Sequence, residues 1–119
     1  MSKDFAQIAA DVESGLTLLN GAVPDAMAGF LALGQASHGE GALTAKIKEL
    51  IALGIAIAVH CDGCISYHAK AVHEAGATRE EVAEMIAVAV HMGGGPSVVY
   101  GGEALKAFDT FAKSGSKAL

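Results

Sequence analysis

Apolar residues recur along the chain every three to four positions, which is the period of an α-helix rather than of a β-strand. The first amphipathic stretch runs from Phe5 to Leu19 and meets a stop signal at Asn20-Gly21. Pro24, which suits the first turn of a helix, opens a second stretch that fades in the polar, glycine-containing segment 34–41. The pattern therefore predicts two N-terminal helices followed by a linker.

The middle of the chain is its most apolar part. Thr44 is a suitable N-cap for a third helix, and residues 50–59 of that helix include no polar side chain. A helix that is apolar on every side is usually buried, so we expect the second half of this helix to be buried all round. A fourth helix is predicted from about Asp62 to Ala75, where Gly76 stops it.

The remaining pattern is also helical. The T-x-x-E sequence that starts at Thr78 is a capping box and predicts the beginning of a fifth helix. The glycines at 93–95 end that helix, and Pro96 opens a sixth that continues to about Lys113. No stretch alternates apolar and polar residues as a strand would. We therefore predict an all-α fold of about six helices.

Composition limits where the apolar surface can go. Of the 119 residues, 52% are hydrophobic and 18% are charged, and the net charge is −5. The chain is too apolar to be disordered, and its acidic balance without a basic cluster argues against nucleic-acid binding. A small domain has a high ratio of surface to volume and cannot bury all of these apolar residues in its own core. The surplus therefore requires contact with a membrane or with other subunits.

The apolar segments of the chain are too short to cross a membrane. The charge-free runs 50–61 and 86–100 are shorter than the roughly 20 residues that a spanning helix needs, and glycines interrupt the second. The first five residues lack the basic and apolar regions of a signal peptide. We therefore expect no membrane partner, a cytoplasmic location and a homo-oligomer that buries the apolar surplus.

The only two cysteines, Cys61 and Cys64, form a C-x-x-C motif with His68 four residues further on. A structural disulfide is not expected in a reducing cytoplasm, so the pair calls for a chemical role. The N-terminus of the fourth helix favours a thiolate at Cys64, and His68 at i+4 lies on the same helix face. Glu49, the last charged residue before the apolar run, is suited to orient the histidine.

Two other interpretations of the motif stay open at this point. The cysteines could be two small buried hydrophobic residues. Alternatively, the cysteines and His68 could supply three zinc ligands, with Glu49, His60 or His73 as the fourth, although there is no second C-x-x-C. His38 falls in the predicted linker, where we expect it to be solvated.

The spacing Glu49-x11-Cys61-x2-Cys64-x3-His68 resembles the signature of the alkylhydroperoxidase AhpD and of redox-active members of the carboxymuconolactone decarboxylase-like family. The flanking stretches 48–53, 75–81 and 93–100 are similar to the family as well. The resemblance spans about Leu43 to Phe111 and implies one AhpD-like domain over residues 1–119 with its core at 43–113.

The resemblance implies an all-α helical fold, a homotrimer or homohexamer, and thiol-dependent reduction of hydroperoxides. In those roles Cys64 attacks the peroxide, Cys61 resolves the product, His68 moves protons and Glu49 holds His68. The family implies no tightly bound cofactor and no metal. Reducing equivalents come from an external dithiol, such as a dihydrolipoyl group on a lipoyl-bearing or other dithiol protein.

The sequence departs from AhpD in two ways. Gly63 stands where AhpD has a relay histidine, and the chain is shorter than AhpD. We therefore predict weaker peroxidase activity than that of AhpD, and we expect that a histidine at position 63 does not lower it. A disulfide oxidoreductase or a small-ligand-binding oligomer is the alternative. The decarboxylase branch lacks the cysteine pair, so decarboxylation is not expected.

Helix geometry places Glu49 and His68 at different depths. At about 1.5 Å per residue, Glu49 lies about 16 Å before the turn near His60, whereas His68 lies only about 9 Å beyond Asp62. A wide turn, a steep crossing of the two helices, or a glutamate from another subunit would each bring the side chains together.

Overall fold

The computed structural model describes residues 3–118 and contains only helices in that part of the chain. The prediction of an all-α fold with about six helices is confirmed. The helices are α1 (Phe5–Ala22), α2 (Pro24–His38), α3 (Ala45–Ala58), α4 (Asp62–Glu74), α5 (Arg79–Gly93) and α6 (Gly95–Ala118).

Side-chain caps explain where several helices begin. The Thr44 hydroxyl accepts a hydrogen bond from the Ile47 amide at the start of α3. At the start of α5, Thr78 accepts from the Glu81 amide while the Glu81 carboxylate accepts from the Thr78 amide. These bonds satisfy amides that have no partner within the helix, and they confirm both predicted N-caps. Helix α6 continues past the predicted end near Lys113.

The core lies between the last four helices, with α1 covering one side. Leu53 and Ile57 of α3 are fully buried, as are Ile65 and Val72 of α4. Helix α5 contributes Val82, and α6 contributes small and aromatic residues: Ala104, Ala107, Phe108 and Phe111. Both helices predicted to carry the site are therefore held by core packing.

Helix α3 is not buried on every side within one chain. Ile47, Ile51, Ile55 and Val59, spaced four residues apart, are 40%, 48%, 58% and 63% exposed. Residues at this spacing share one face of a helix, so α3 presents an apolar stripe to the outside. The expectation that the second half of α3 is buried on every side is wrong for the single chain, because no described part of the chain covers this stripe.

Helices α1 and α2 form an N-terminal hairpin, in which α1 packs more firmly than α2 against the other four helices. Helix α1 is anchored by the buried Phe5, whose carbonyl accepts a 2.9 Å hydrogen bond from the buried Ser66 hydroxyl of α4. Just before α1, the Lys3 ammonium lies 2.9 Å from an Asp62 carboxylate oxygen and 2.8 Å from one of Glu103. Helix α2 has no buried residue.

Over residues 3–118, no helix combines the length and the apolar content that crossing a bilayer requires.

Candidate functional site

The cysteine pair follows a sharp reversal between α3 and α4. Helix α3 ends at Ala58, and His60 turns the chain with a left-handed backbone, φ 59°. Few residues other than glycine adopt this conformation. The His60 ring stacks on Tyr100 of α6, with the ring centroids 4.6 Å apart, so packing holds the turn in place. The turn leaves Cys61 at the start of α4.

Cys61 is the N-cap of α4, and Cys64 lies in the first turn. The Cys61 Sγ accepts a 3.2 Å hydrogen bond from the Cys64 amide, and the two residues form a disulfide with their Cα atoms 5.2 Å apart. Cys64 is exposed, whereas Cys61 is half-buried. The motif thus has the geometry for a reversible disulfide that solvent and other molecules can reach.

Glu49 and His68 meet within one chain. The His68 Nδ1 lies 2.7 Å from the Glu49 Oε1 and donates to it, because a carboxylate can only accept. The side chains are 14% and 21% exposed, so the carboxylate is largely removed from water and is paired there. The turn between the helices is only three residues long. The contact therefore forms within one chain and across a short turn, without a wide turn or a second subunit.

A third side chain, His38, joins this pair. Helix α2 does not fade near Gly34 but continues to His38, whose Nε2 lies 3.8 Å from the Glu49 Oε2. The rings of His38 and His68 stack with centroids 5.8 Å apart and planes 15° apart. The expectation of a solvated His38 in a linker is therefore wrong, because the residue is helical and faces Glu49.

A lysine of α3 holds the C-terminal end of α2 by a hydrogen bond. The Lys48 Nζ donates a 2.6 Å hydrogen bond to the carbonyl of Gly39, which is the C-cap of α2. A lysine at this position satisfies a terminal carbonyl and complements the negative end of the helix dipole. No periodicity or motif spacing links residue 38 to residue 49, so sequence reasoning had no signal for this contact.

The missing relay histidine has a structural reason. A Cβ atom at Gly63 would lie 2.9 Å from the Val12 Cγ2 of α1, closer than such atoms approach without a shift. Helix α1 therefore occupies the space that a side chain at position 63 would need. A histidine there must shift the Val12 side chain or α1, and its effect on peroxidase activity stays a prediction.

The two other histidines named as possible zinc ligands, His60 and His73, pack against aromatic rings. The His73 ring contacts Phe108 edge-on, 5.7 Å between centroids, and the His60 ring packs on Tyr100 as described. Tyr67 contacts His68 edge-on at 5.0 Å. The structure thus does not assemble the predicted zinc set of two cysteines with His68, because both sulfurs are engaged in the disulfide.

A cleft of about 400 Å³ lies beside the site, between α1 and α4. Helices α1 and α4 contribute equally to its lining: the residues of α1 are mostly apolar, and those of α4 include Gly63, Tyr67 and Lys70. Neither cysteine, nor Glu49 or His68, is part of its lining. The cleft therefore adjoins the C-x-x-C helix without containing the chemical groups.

Comparisons with known proteins agree with this architecture. An uncharacterized protein of Cupriavidus necator is 36% identical over 109 residues, which cover 92% of this chain and 96% of that protein. The crystal structure of apo-lpg0406, a carboxymuconolactone decarboxylase family protein from Legionella pneumophila, matches with a TM-score of 0.89 and 44% identity over 91% of this chain and 96% of that one.

A third similarity concerns the fold alone. The carboxymuconolactone decarboxylase family protein TM1620 from Thermotoga maritima superposes with a TM-score of 0.81 at 24% identity, covering 92% of this chain and 94% of the other. The model of the carboxymuconolactone decarboxylase family matches residues 24–107, which include α2 to most of α6 and the whole site. The chain belongs to the carboxymuconolactone decarboxylase family.

Proposed function

We propose that the protein is a thiol-dependent oxidoreductase of the AhpD type that reduces organic hydroperoxides. The observation that carries the proposal is the Cys61–Cys64 disulfide on the helix that also bears His68. The 2.7 Å hydrogen bond from His68 to Glu49 supports it, since a partner carboxylate orients an imidazole for proton transfer.

In the reduced protein, Cys64 is the attacking residue, because it is exposed and lies in the first turn of α4. The Cys64 thiol first gives its proton to the free Nε2 of His68. The thiolate then attacks the terminal oxygen of the hydroperoxide, so that an S–O bond forms and the O–O bond breaks. The sulfur becomes a sulfenic acid, and the departing alkoxide takes a proton from His68 and leaves as an alcohol. Glu49 keeps the His68 ring oriented during the transfer.

Cys61 then closes the cycle. Its thiol condenses with the Cys64 sulfenic acid, which forms the disulfide and releases water. An external dithiol, for which a dihydrolipoyl group is a suitable chemical class, returns two electrons and two protons by thiol–disulfide exchange. This cycle uses no tightly bound cofactor, and its dependence on a reducing dithiol suits a cytoplasmic protein.

A second candidate is a disulfide oxidoreductase that exchanges with another dithiol and reacts only slowly with peroxide. The observation in its favour is at Gly63, where Val12 occupies the space of the family's relay histidine. With one proton carrier fewer, the peroxide step loses more than the exchange step. Fast reduction of the disulfide by dihydrolipoamide together with slow reoxidation by peroxide would favour this candidate.

The test is a count of thiols. Reduced protein mixed with cumene hydroperoxide should lose two thiols per chain and form one alcohol. Cys64→Ser should abolish turnover, whereas Cys61→Ser should accumulate a sulfenic acid that dimedone traps. Ser114→Ala, a change far along α6, is the matched control and should leave the rate unchanged. Turnover that survives in Cys64→Ser would refute the assignment.

We also propose that the partner of the exposed apolar surface is further copies of this chain, in a homotrimer or homohexamer. The stripe Ile47, Ile51, Ile55 and Val59 on α3 supports this, as do Phe30 and Leu33 on α2, which are 66% and 62% exposed. An apolar face of this kind is stable in water when another subunit covers it.

A further inference from the structure

Three helices converge on one carboxylate. Glu49 of α3 lies between His68 of α4 and His38 at the end of α2, and one ligand atom of each side chain lies within 4.8 Å of the other two. We propose that His38, Glu49 and His68 bind one divalent transition-metal ion of the zinc class, a role distinct from the thiol chemistry of the cysteines.

The hydrogen bonds of His38 determine which of its nitrogens faces Glu49. The His38 Nδ1 lies 3.1 Å from the carbonyl oxygen of Gly34, which can only accept, so Nδ1 carries the proton. In the neutral ring, Nε2 then presents a bare lone pair. Metal-binding histidines typically use this arrangement, in which one nitrogen donates to a backbone carbonyl and the other holds the ion.

The bare nitrogen faces an atom that cannot satisfy it. The His38 Nε2 points at the Glu49 Oε2 from 3.8 Å, and both atoms are electron-pair donors. Two such atoms repel each other unless a proton on His38, a water that donates to both, or a metal ion lies between them. The half-buried setting strengthens the effect, since His38 is 35% exposed and Glu49 only 14%.

The donor set and its spacing favour a metal. Two imidazoles with one carboxylate form a common zinc-binding set with an open fourth position. With bonds of about 2.0–2.2 Å, ligand atoms around a tetrahedral zinc ion are about 3.4 Å apart. The two separations lie on either side of that value: 2.7 Å from the His68 Nδ1 to the Glu49 Oε1, and 3.8 Å from the His38 Nε2 to the other carboxylate oxygen, Oε2. Small side-chain rotations therefore complete the site.

Binding requires one change of tautomer. His68 now donates from Nδ1 to Glu49, so its proton must move to Nε2 before Nδ1 can bind the ion. The ion then replaces the hydrogen bond between these two residues. Neither cysteine is needed as a ligand, and the site can form while the disulfide is intact. Metal binding can therefore be tested on the oxidised protein without peroxide, although an ion held by His68 and Glu49 would occupy the residues that serve proton transfer in the proposed peroxidase cycle.

The experiment is a Zn²⁺ titration of the full oxidised chain, with the disulfide verified by mass spectrometry, followed by Co²⁺ absorption spectroscopy. We expect one Zn²⁺ per chain and the intense visible bands of a four-coordinate Co²⁺ ion. His38→Ala and Glu49→Gln should each weaken binding by about 100-fold or more, since losing only an outer partner of a ligand costs 10–100-fold. His91→Ala and Glu84→Gln, exposed residues of α5, are the matched controls and should bind as the wild type does.

A second measurement does not depend on the variants folding well. The ion connects α2, which has no buried residue, to α3 and α4. Zn²⁺ should therefore slow amide hydrogen exchange in α2 of the wild-type chain and leave that of α5 unchanged. Each of three results would overturn the proposal. They are oxidised wild-type protein that binds no Zn²⁺, a His38→Ala variant that binds Zn²⁺ as tightly as the wild type, and amide exchange in α2 that does not change when Zn²⁺ is added. None of these outcomes bears on the thiol count.

Discussion

The hairpin of α3 and α4 and the hairpin of α1 and α2 differ far more in burial than in sequence pattern. Leu53 and Ile57 of α3 are 0% exposed, whereas Phe30 and Leu33 of α2, equally regular in their spacing, are 66% and 62% exposed. The difference arises because α3 and α4 pack against α5 and α6, while α2 has little beyond α1 to cover it. Helical periodicity therefore identifies an apolar face without identifying its partner.

The candidate site lies on the boundary between these two regions. Glu49 and His68 belong to the packed hairpin, which holds a short hydrogen bond in place. His38 comes from the exposed hairpin and reaches Glu49 from the end of α2. The proposed thiol chemistry thus uses residues of the packed hairpin, whereas the proposed metal site also requires the weakly held helix α2 to stay in position.

The largest expected effect separates the two hairpins directly. Leu53→Ala should lower the free energy of unfolding by about 2–5 kcal/mol, because it opens a cavity in the core. Leu33→Ala, the same change on α2, should alter it by less than about 0.5 kcal/mol when the chain is monomeric. Urea unfolding of dilute protein, shown to be monomeric by sedimentation, measures both. Equal losses would mean that α2 is packed as firmly as α3.

The next prediction concerns the stripe on α3. Ile55→Asp places a charge at its centre and should shift the assembly toward the monomer in sedimentation velocity, because burying an unpaired carboxylate is costly. Circular dichroism should show the same helix content, since Ile55 is 58% exposed in one chain. Thr110→Asp, at an exposed position of α6, is the control and should keep the wild-type mass. An Ile55→Asp variant of unchanged mass would exclude this stripe from the subunit interface.

A smaller effect tests how α1 meets the site. Gly63→Ala should destabilise the fold by about 1–3 kcal/mol, because the added Cβ overpacks against Val12. Gly102→Ala, where a Cβ meets nothing within 4 Å, should instead stabilise α6 by up to about 1 kcal/mol through helix propensity. Thermal unfolding compares the two variants. A Gly63→Ala variant that gains as much thermal stability as Gly102→Ala would show that α1 shifts away from an added Cβ at little cost.

The smallest effect is an acid dependence that comes from an ion pair on the surface, between α5 and α6. The Arg79 guanidinium donates to both Asp109 carboxylate oxygens, at 2.8 and 3.1 Å, and lowers the pKa of Asp109 below its ordinary value. A carboxyl whose pKa is lower in the folded state adds stability above its unfolded pKa, and this is lost as the pH falls through the lowered value. Asp109→Asn should therefore reduce stability at pH 7 slightly and flatten its decline in acid.

The Asp109 effect has an internal control. Both residues are largely exposed, so solvent screens the pair and the change should be small. In an Arg79→Gln background, Asp109→Asn should have almost no effect on the pH dependence. Urea midpoints measured from pH 2 to 7 for the four chains test this. If the urea midpoint falls equally steeply in acid for Asp109→Asn and for the wild type, the pair does not contribute to the acid dependence of stability.

Local signals in the sequence were sufficient for much of the fold. Thr44 and Thr78 act within a single turn, so their capping roles follow from neighbours three residues away. The spacing of Cys61, Cys64 and His68 likewise predicts a shared helical face, because all three lie at or within α4. The burial of α3 was overestimated, since composition reports how apolar a helix is and not how many neighbours surround it.

The sequence by itself therefore determined the helices, their caps and the placement of the cysteine pair and His68 at and within α4, because these depend on contacts between residues a few positions apart. Only the tertiary structure decided that Glu49 reaches His68 in one chain, that His38 joins them, and that Val12 leaves no room at Gly63. These contacts join separate helices, and their geometry depends on how the helices cross and pack, which no local periodicity records.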